Sequence, residues 1–194
     1  MRKFVAMLLA CVMVLGTVSA LAAEPVVVNA TVITEGEDQL LFRHGKVGDT
    51  MYTKITPPDG YIAITQDASV STLHVSFVPE DENNCTEYDL LIAYSELVDN
   101  ATLGDMTDDE YKLMVEVLTA DYNDPSVETI TTEKGTKLIV VNENGGESDY
   151  AEIMTIYHGY FINVIVYDED HQLDEAKIKT GMDILASLTF TTEE

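Results

Sequence analysis

The sequence predicts an α+β domain built on an antiparallel β-sheet, with helical material on its faces. Three observations carry this. Tyr150 to Tyr167 reads as a hairpin in which both faces are apolar, two amphipathic stretches carry helix caps, and the remainder breaks into short β-branched runs separated by turn residues. At 194 residues the chain fits one domain, and a domain of this size buries roughly 70% of its unfolded surface. Residues 23–194 are expected to form it, after a leader over residues 1–22.

The leader reads as an export signal. Arg2 and Lys3 form a basic start, Phe4 to Ala20 an apolar run, and Ala20-Leu21-Ala22 a small-residue cleavage motif, so that the mature chain begins at Ala23 or Glu24 and lies outside the cytoplasm. Two rival readings stand beside it. The uncharged run from Phe4 to Ala23 is long enough to span a bilayer if it is not cleaved, and Leu8-Leu9-Ala10-Cys11 resembles a lipoprotein signal.

Val26 to Ile33 and Gln39 to Arg43 form a first hairpin across Glu35-Gly36-Glu37-Asp38, and Met51 to Ile55 a further strand. Pro57-Pro58-Asp59-Gly60 stops it. Tyr61 to Thr65 and Ser71 to Val78 follow; in the second, Leu73, Val75 and Phe77 alternate with Thr72, His74 and Ser76, which buries one face and leaves His74 on the other. Tyr88 to Ser95 has the length and the Ile, Leu and Tyr content of a buried strand, although Tyr88, Leu91, Ile92 and Ser95 also fall at helical spacing.

Thr107-Asp108-Asp109-Glu110 is a capping box, and it opens a helix whose apolar stripe is Tyr111, Met114, Val115 and Leu118, ending before Asn123-Asp124-Pro125. Val127 to Thr132 and Thr136 to Asn142 pair across Glu133-Lys134-Gly135. In the hairpin from Tyr150, the turn His158-Gly159 sets Tyr157 against Tyr160, Thr155 against Ile162 and Ile153 against Val164. Glu152 and Asn163 are the only clearly polar residues on their face, and a hairpin apolar on both faces belongs in mid-sheet. A second helix runs from the cap Asp174 to Leu188, with Ile178, Gly181, Met182, Leu185 and Leu188 inward, and Leu188-Thr189-Phe190 adds a short strand. Gly181 in mid-helix points to close approach of the sheet.

Several of these segments resemble the PsbP-like fold: Pro58-Asp59-Gly60-Tyr61 opening a strand, a strand ending in Ala93-Tyr94-Ser95, Gly135-Thr136-Lys137-Leu138-Ile139-Val140, the Tyr157-His158-Gly159-Tyr160-Phe161 hairpin and a closing helix. Many small exported bacterial proteins are similar. The resemblance implies an antiparallel sheet sandwiched between helices, in a family whose known members bind or stabilise other proteins without carrying out chemistry. It covers about residues 56–192, rests on the order of elements and short motifs, and brings no catalytic motif. The strands before Thr56 fall outside it.

Charge narrows the partners. With 35 acidic against 10 basic residues the net charge is −25, and loss of Arg2 and Lys3 leaves 8 basic against 35 acidic, or −27. Nucleic acid and anionic membrane would both be approached against this field, so neither is an expected partner, whereas an envelope protein or polymer is. Cys85 is the one cysteine left after cleavage, which excludes an internal disulfide, and the neighbouring Asp81, Glu82 and Glu87 disfavour a nucleophilic thiolate. No G-x-S-x-G, phosphate loop or H-E-x-x-H occurs, and His44, His74, His158 and His171 have no paired spacing. Accordingly no catalytic or cofactor-binding residue is assigned, and no cofactor is expected.

Metal binding stays open. Asp121-Tyr122-Asn123-Asp124 and Asp168-Glu169-Asp170 with Asp174-Glu175 offer hard oxygen ligands suited to Ca²⁺, but neither follows the EF-hand pattern. Tyr61, Tyr94, Tyr157 and Tyr160 read as core rather than as contact surface. The reading these features favour is an exported, non-enzymatic binding or accessory protein of the cell envelope. The alternatives are a calcium-dependent surface module, or a hydrolase whose paired carboxylates come from distant parts of the chain.

Overall fold

The computed structural model describes residues 31–34, 40–46, 49–68, 72–95, 98, 100–120, 122, 124–143, 150–168 and 173–192. The expected leader and the strand residues before Thr31 lie outside these, as do residues 144–149, which lead into the hairpin from Tyr150. Side chains of residues 31–52 and 189–192 are likewise outside the description.

Seven strands form the main sheet: β4 (Tyr61–Ala68), β5 (Thr72–Pro79), β6 (Thr86–Tyr94), β7 (Pro125–Thr131), β8 (Lys137–Glu143), β9 (Tyr150–Tyr157) and β10 (Tyr160–Asp168). Their spatial order is β4-β5-β6-β10-β9-β8-β7, and the pairings are antiparallel. The hairpin expected in mid-sheet is there, with β10 as the central strand. Its register is the expected one, Tyr157 against Tyr160, Thr155 against Ile162 and Ile153 against Val164. The turn residues His158 (φ 47°) and Gly159 (φ 84°) both hold positive φ, as a type I′ turn demands.

A second sheet of four strands, in the order β1-β2-β3-β11, joins β1 (Thr31–Thr34), β2 (Leu40–Lys46) and β3 (Asp49–Ile55) to the last strand, β11 (Thr189–Thr192). The early hairpin was expected. Its continuation through β3 to the strand that follows the last helix was not, because that contact is between opposite ends of the chain.

The main sheet has two unlike faces. Leu73, Val75, Phe77, Tyr88, Leu90, Ile92, Ile153, Ile162, Val164 and Val166 point to the inner face. There they meet helix α2 (Glu175–Ser187) through Ile178, Met182, Ile184 and Leu185, and Ile55 closes the same core. Asp174 caps α2, accepting the Lys177 amide at 2.9 Å. Gly181 lets the helix sit close: a Cβ there would lie 2.6 Å from Ile153 Cδ1 and 2.7 Å from Val166 Cγ2.

On the outer face, Ile139, Val141, Met154 and Ile156 receive helix α1 (Asp108–Leu118) through Tyr111, Met114, Val115 and Leu118, with Leu103 buried beside them in a short 3-10 turn. Both halves of the capping box form, and Met106 joins the same cluster. The helix stops at Leu118, earlier than the Asn-Asp-Pro signal suggests. The Thr119 amide keeps the helical bond to the Val115 carbonyl, which the Thr119 hydroxyl also binds, and the Ala120 amide then turns to the Val117 carbonyl three residues back instead of extending the helix.

The expected enclosure of the sheet between helices is therefore only partial. One helix lies on each face, but α1 covers the β8 and β9 side. Ile62 and Ile64 on the outer face of β4 are 54% and 44% exposed. The architecture is a largely β α+β fold around an antiparallel sheet.

Candidate functional site

The outer face of β4, β5 and β6, beyond the reach of α1, holds a polar cluster set among apolar side chains. Register fixes its layout. Ile64 lies opposite Ser76, Ser76 opposite Asp89, Asp89 opposite Ile165, and Ile165 opposite Glu152, giving one row across five strands. A neighbouring row runs from His74 through Leu91 and Asn163 to Met154.

Asp89 is the hub. The Ser76 hydroxyl donates to its Oδ1 at 2.5 Å, and His74 Nε2 lies 3.3 Å from the same oxygen. Partial burial would push the Asp89 carboxyl up. The hydrogen bonds from His74 and Ser76, with the histidine's charge, outweigh it and hold the carboxyl below its usual range. Serine, histidine and aspartate thus meet, but with the carboxylate in the middle. A nucleophilic serine needs the imidazole against its hydroxyl to take the proton. Here the hydroxyl proton is committed to a carboxylate oxygen, so the cluster fixes β5 to β6 rather than activating Ser76.

Glu152 shows the opposite behaviour. It is 5% exposed, and Asn163 Nδ2 donates to its Oε2 at 3.3 Å across the β9-β10 pair. Burial pushes its carboxyl up, only partly countered by Tyr122 and Asn163. Among the described residues no donor hydrogen-bonds to its other oxygen, Oε1, or to Asn163 Oδ1. Burial among apolar side chains disfavours the charged form of the group, which is the cause of that upward shift.

The sheet thus sets Asp89, whose carboxyl is held down, and Glu152, whose carboxyl is pushed up, in one row, two strand steps or roughly 10 Å apart. Paired carboxylates work as acid and base only where a substrate reaches both. Glu152 is closed off from solvent, and Ile165 stands between them.

Other residues singled out in the sequence take structural places. Tyr160 is buried, and Tyr61, Tyr94 and Tyr157 pack against the inner core, Tyr61 edge-on to Tyr88 and Tyr94 edge-on to Tyr160. His158 is exposed in its turn, its ring against Tyr157 and its amide bound to Thr102 Oγ1. His44 lies in β2 and its side chain is outside the description; His171 is outside it altogether. Cys85 is half-buried and in no disulfide.

The acidic clusters are divided. Asp168 is 1% exposed, forms an ion pair with Lys177 of α2 and accepts from Thr86 Oγ1 at 3.1 Å, so it ties the end of β10 to α2 and β6. Asp174 is occupied as a helix cap. Asp121, Asn123, Glu169 and Asp170 lie outside the described residues, and among those described no group of three metal-ligating side chains assembles.

No protein-family model matches the chain, and no curated protein matches it. Among solved structures it is similar to the solution structure of cyanobacterial PsbP (CyanoP) from Synechocystis sp. PCC 6803, at 12% identity and a TM-score of 0.40, over 89% of this chain and 99% of that one. The likeness is to a PsbP-like fold.

What sequence reasoning missed is the Ser76, His74 and Asp89 cluster and the Glu152-Asn163 pair. The signal for the second was present, since these are the two polar residues on an otherwise apolar strand face. The first joins β5 to a residue thirteen positions on and carries no local mark. Among the described residues no helix is long and apolar enough to cross a membrane.

Proposed function

We propose that this is an exported, non-enzymatic accessory protein of the cell envelope, folded as one PsbP-like domain after its leader, which binds another protein through the outer face of β4, β5 and β6. The observation that carries the reading is the exposure of Ile62 and Ile64 side by side on one strand, where the other exposed large apolar residue of the described sheet, Val127, stands alone on the opposite edge. Exposed large apolar residues grouped on one face mark contact surfaces more often than scattered ones do. The arrangement beside them supports binding over chemistry, because Asp89 holds both Ser76 and His74. The net charge of −25 favours a partner whose surface is basic.

The test is retention. The chain from Ala23 is immobilised and exposed to solubilised envelope from its own source at moderate salt, beside an Ile64→Glu variant of equal melting temperature. The reading expects one protein, held in stoichiometric amount by the parent and lost from the variant. Retention of nothing, or of the same proteins by both, would overturn it.

A further inference from the structure

We propose that β4 binds the partner by strand addition, taking an extended cationic segment of it as an eighth strand of the sheet; this rests on the binding reading above and specifies its mode. β4 ends the strand order, so one of its two backbone edges faces away from β5. Which groups face outward follows from the ladder. The Glu80 amide donates to the Gly60 carbonyl at 2.9 Å. Residues that exchange bonds with the partner strand alternate in an antiparallel pair. Gly60, Ile62 and Ile64 therefore face β5, and Tyr61, Ala63 and Thr65 turn their amides and carbonyls outward. The Tyr61 amide is taken back by the Pro58 carbonyl at 3.1 Å. Ala63 and Thr65 are left presenting a donor and an acceptor each, and among the described residues no strand pairs with that edge.

Proteins usually blunt an exposed edge with proline or charge. The opposite edge, β7, is blunted in this way by Pro125 at its start and by exposed Glu128. β4 is blunted only at its far end, where the register shifts between Thr65 and Asp67 and Asp67 brings a charge; Tyr61-Ile62-Ala63-Ile64-Thr65-Gln66 before it contains no proline and no charge. An open edge with such a sequence would pair with its own copies if nothing opposed it. A net charge of −25 on each copy opposes it. The same field attracts a cationic segment. Exposed Asp59, Glu80, Asp81 and Glu82 gather at the Tyr61 end, where Asn84 Nδ2 holds the Tyr61 hydroxyl at 2.9 Å. The backbone thus supplies the pairing, Ile62 and Ile64 the apolar contact, and the acidic loop the preference for Lys or Arg.

The test uses the mature chain and a synthetic ten-residue peptide of alternating Lys and Val, with a Glu-Val peptide as control. Amide hydrogen exchange is followed residue by residue. The proposal expects the Ala63 and Thr65 amides to slow by about tenfold or more with saturating Lys-Val peptide, with no change from Glu-Val. Ala63→Pro removes one outward donor at an edge position where proline is tolerated, and it should abolish the protection of Thr65. If Ala63→Pro does not fold, exchange in the unmutated chain still decides. Unchanged Ala63 and Thr65 amides would overturn strand addition. So would protection of both that grows with protein concentration alone, which would make the occupant a second copy. In the envelope retention assay, a protein lost from Ile64→Glu but kept by Ala63→Pro would leave the binding reading standing and overturn this mode. Loss from neither would overturn both.

Discussion

Gly181 offers a direct test of how α2 is seated on the sheet. Alanine in place of glycine in mid-helix ordinarily gains about 1 kcal/mol in helix propensity. At this position the added Cβ would sit 2.6 Å from Ile153 Cδ1 and 2.7 Å from Val166 Cγ2, both in side chains with no solvent exposure. The isoleucine Cδ1 is the end of a flexible chain and has some room to swing, but Val166 is β-branched and stiff about χ1. Overpacking of this kind costs about 1–3 kcal/mol. The cost exceeds the propensity gain, so Gly181→Ala is expected to lose about 1 kcal/mol net, which for a chain of this size lowers Tm by about 2–4 °C. Urea unfolding and calorimetry measure it. Ile153→Val removes one of the two clashing atoms, so the double variant should recover part of the loss, a coupling that two independent sites would not show. A Gly181→Ala protein stabilised by about 1 kcal/mol would refute the close seating of the helix.

Other outcomes follow from the same contacts. Thr107→Ala removes the hydroxyl that accepts the Glu110 amide and should cost about 1 kcal/mol in urea unfolding. Lys177→Met removes the ion-pair partner set against the buried Asp168 carboxylate, and a loss of about 3 kcal/mol in urea unfolding at neutral pH is expected. The folded Glu152 carboxyl titrates above its unfolded value, so its contribution is fully present below the unfolded pKa and is lost as pH rises through the folded one. Glu152→Gln should therefore match the parent in acid and exceed it increasingly at higher pH, measured as ΔG of unfolding across that range. Asp89 has the opposite sign: its folded pKa is depressed, so Asp89→Asn should destabilise at neutral pH, with the deficit vanishing as pH falls through the folded pKa.

Local features of this fold were legible in the sequence. The His158-Gly159 turn fixed the central register, because a two-residue loop with positive φ at both positions leaves one pairing for the strands beside it. Capping residues placed the starts of both helices at Thr107 and Asp174. Long-range features were not legible. β3 pairs with β11 from the far end of the chain, and nothing local to Met51 or Thr192 marks the other as its partner. His74 was expected on the solvent side, and its half-burial beside Asp89 depends on which strand lies next to β5. The partial cover of the outer face was also hidden. The stripe on α1 says that the helix packs, but it does not say that it packs over β8 and β9 and leaves Ile62 and Ile64 open.

Photo-crosslinking from position 64 in intact cells tests the central claim most directly. A photoreactive residue there, on the outer face of β4, is predicted to trap one protein reproducibly. The same residue at position 113, on the exposed face of α1, is predicted not to trap it. Equal yields from both positions, or no product from position 64, would contradict the assignment of this face as the binding surface.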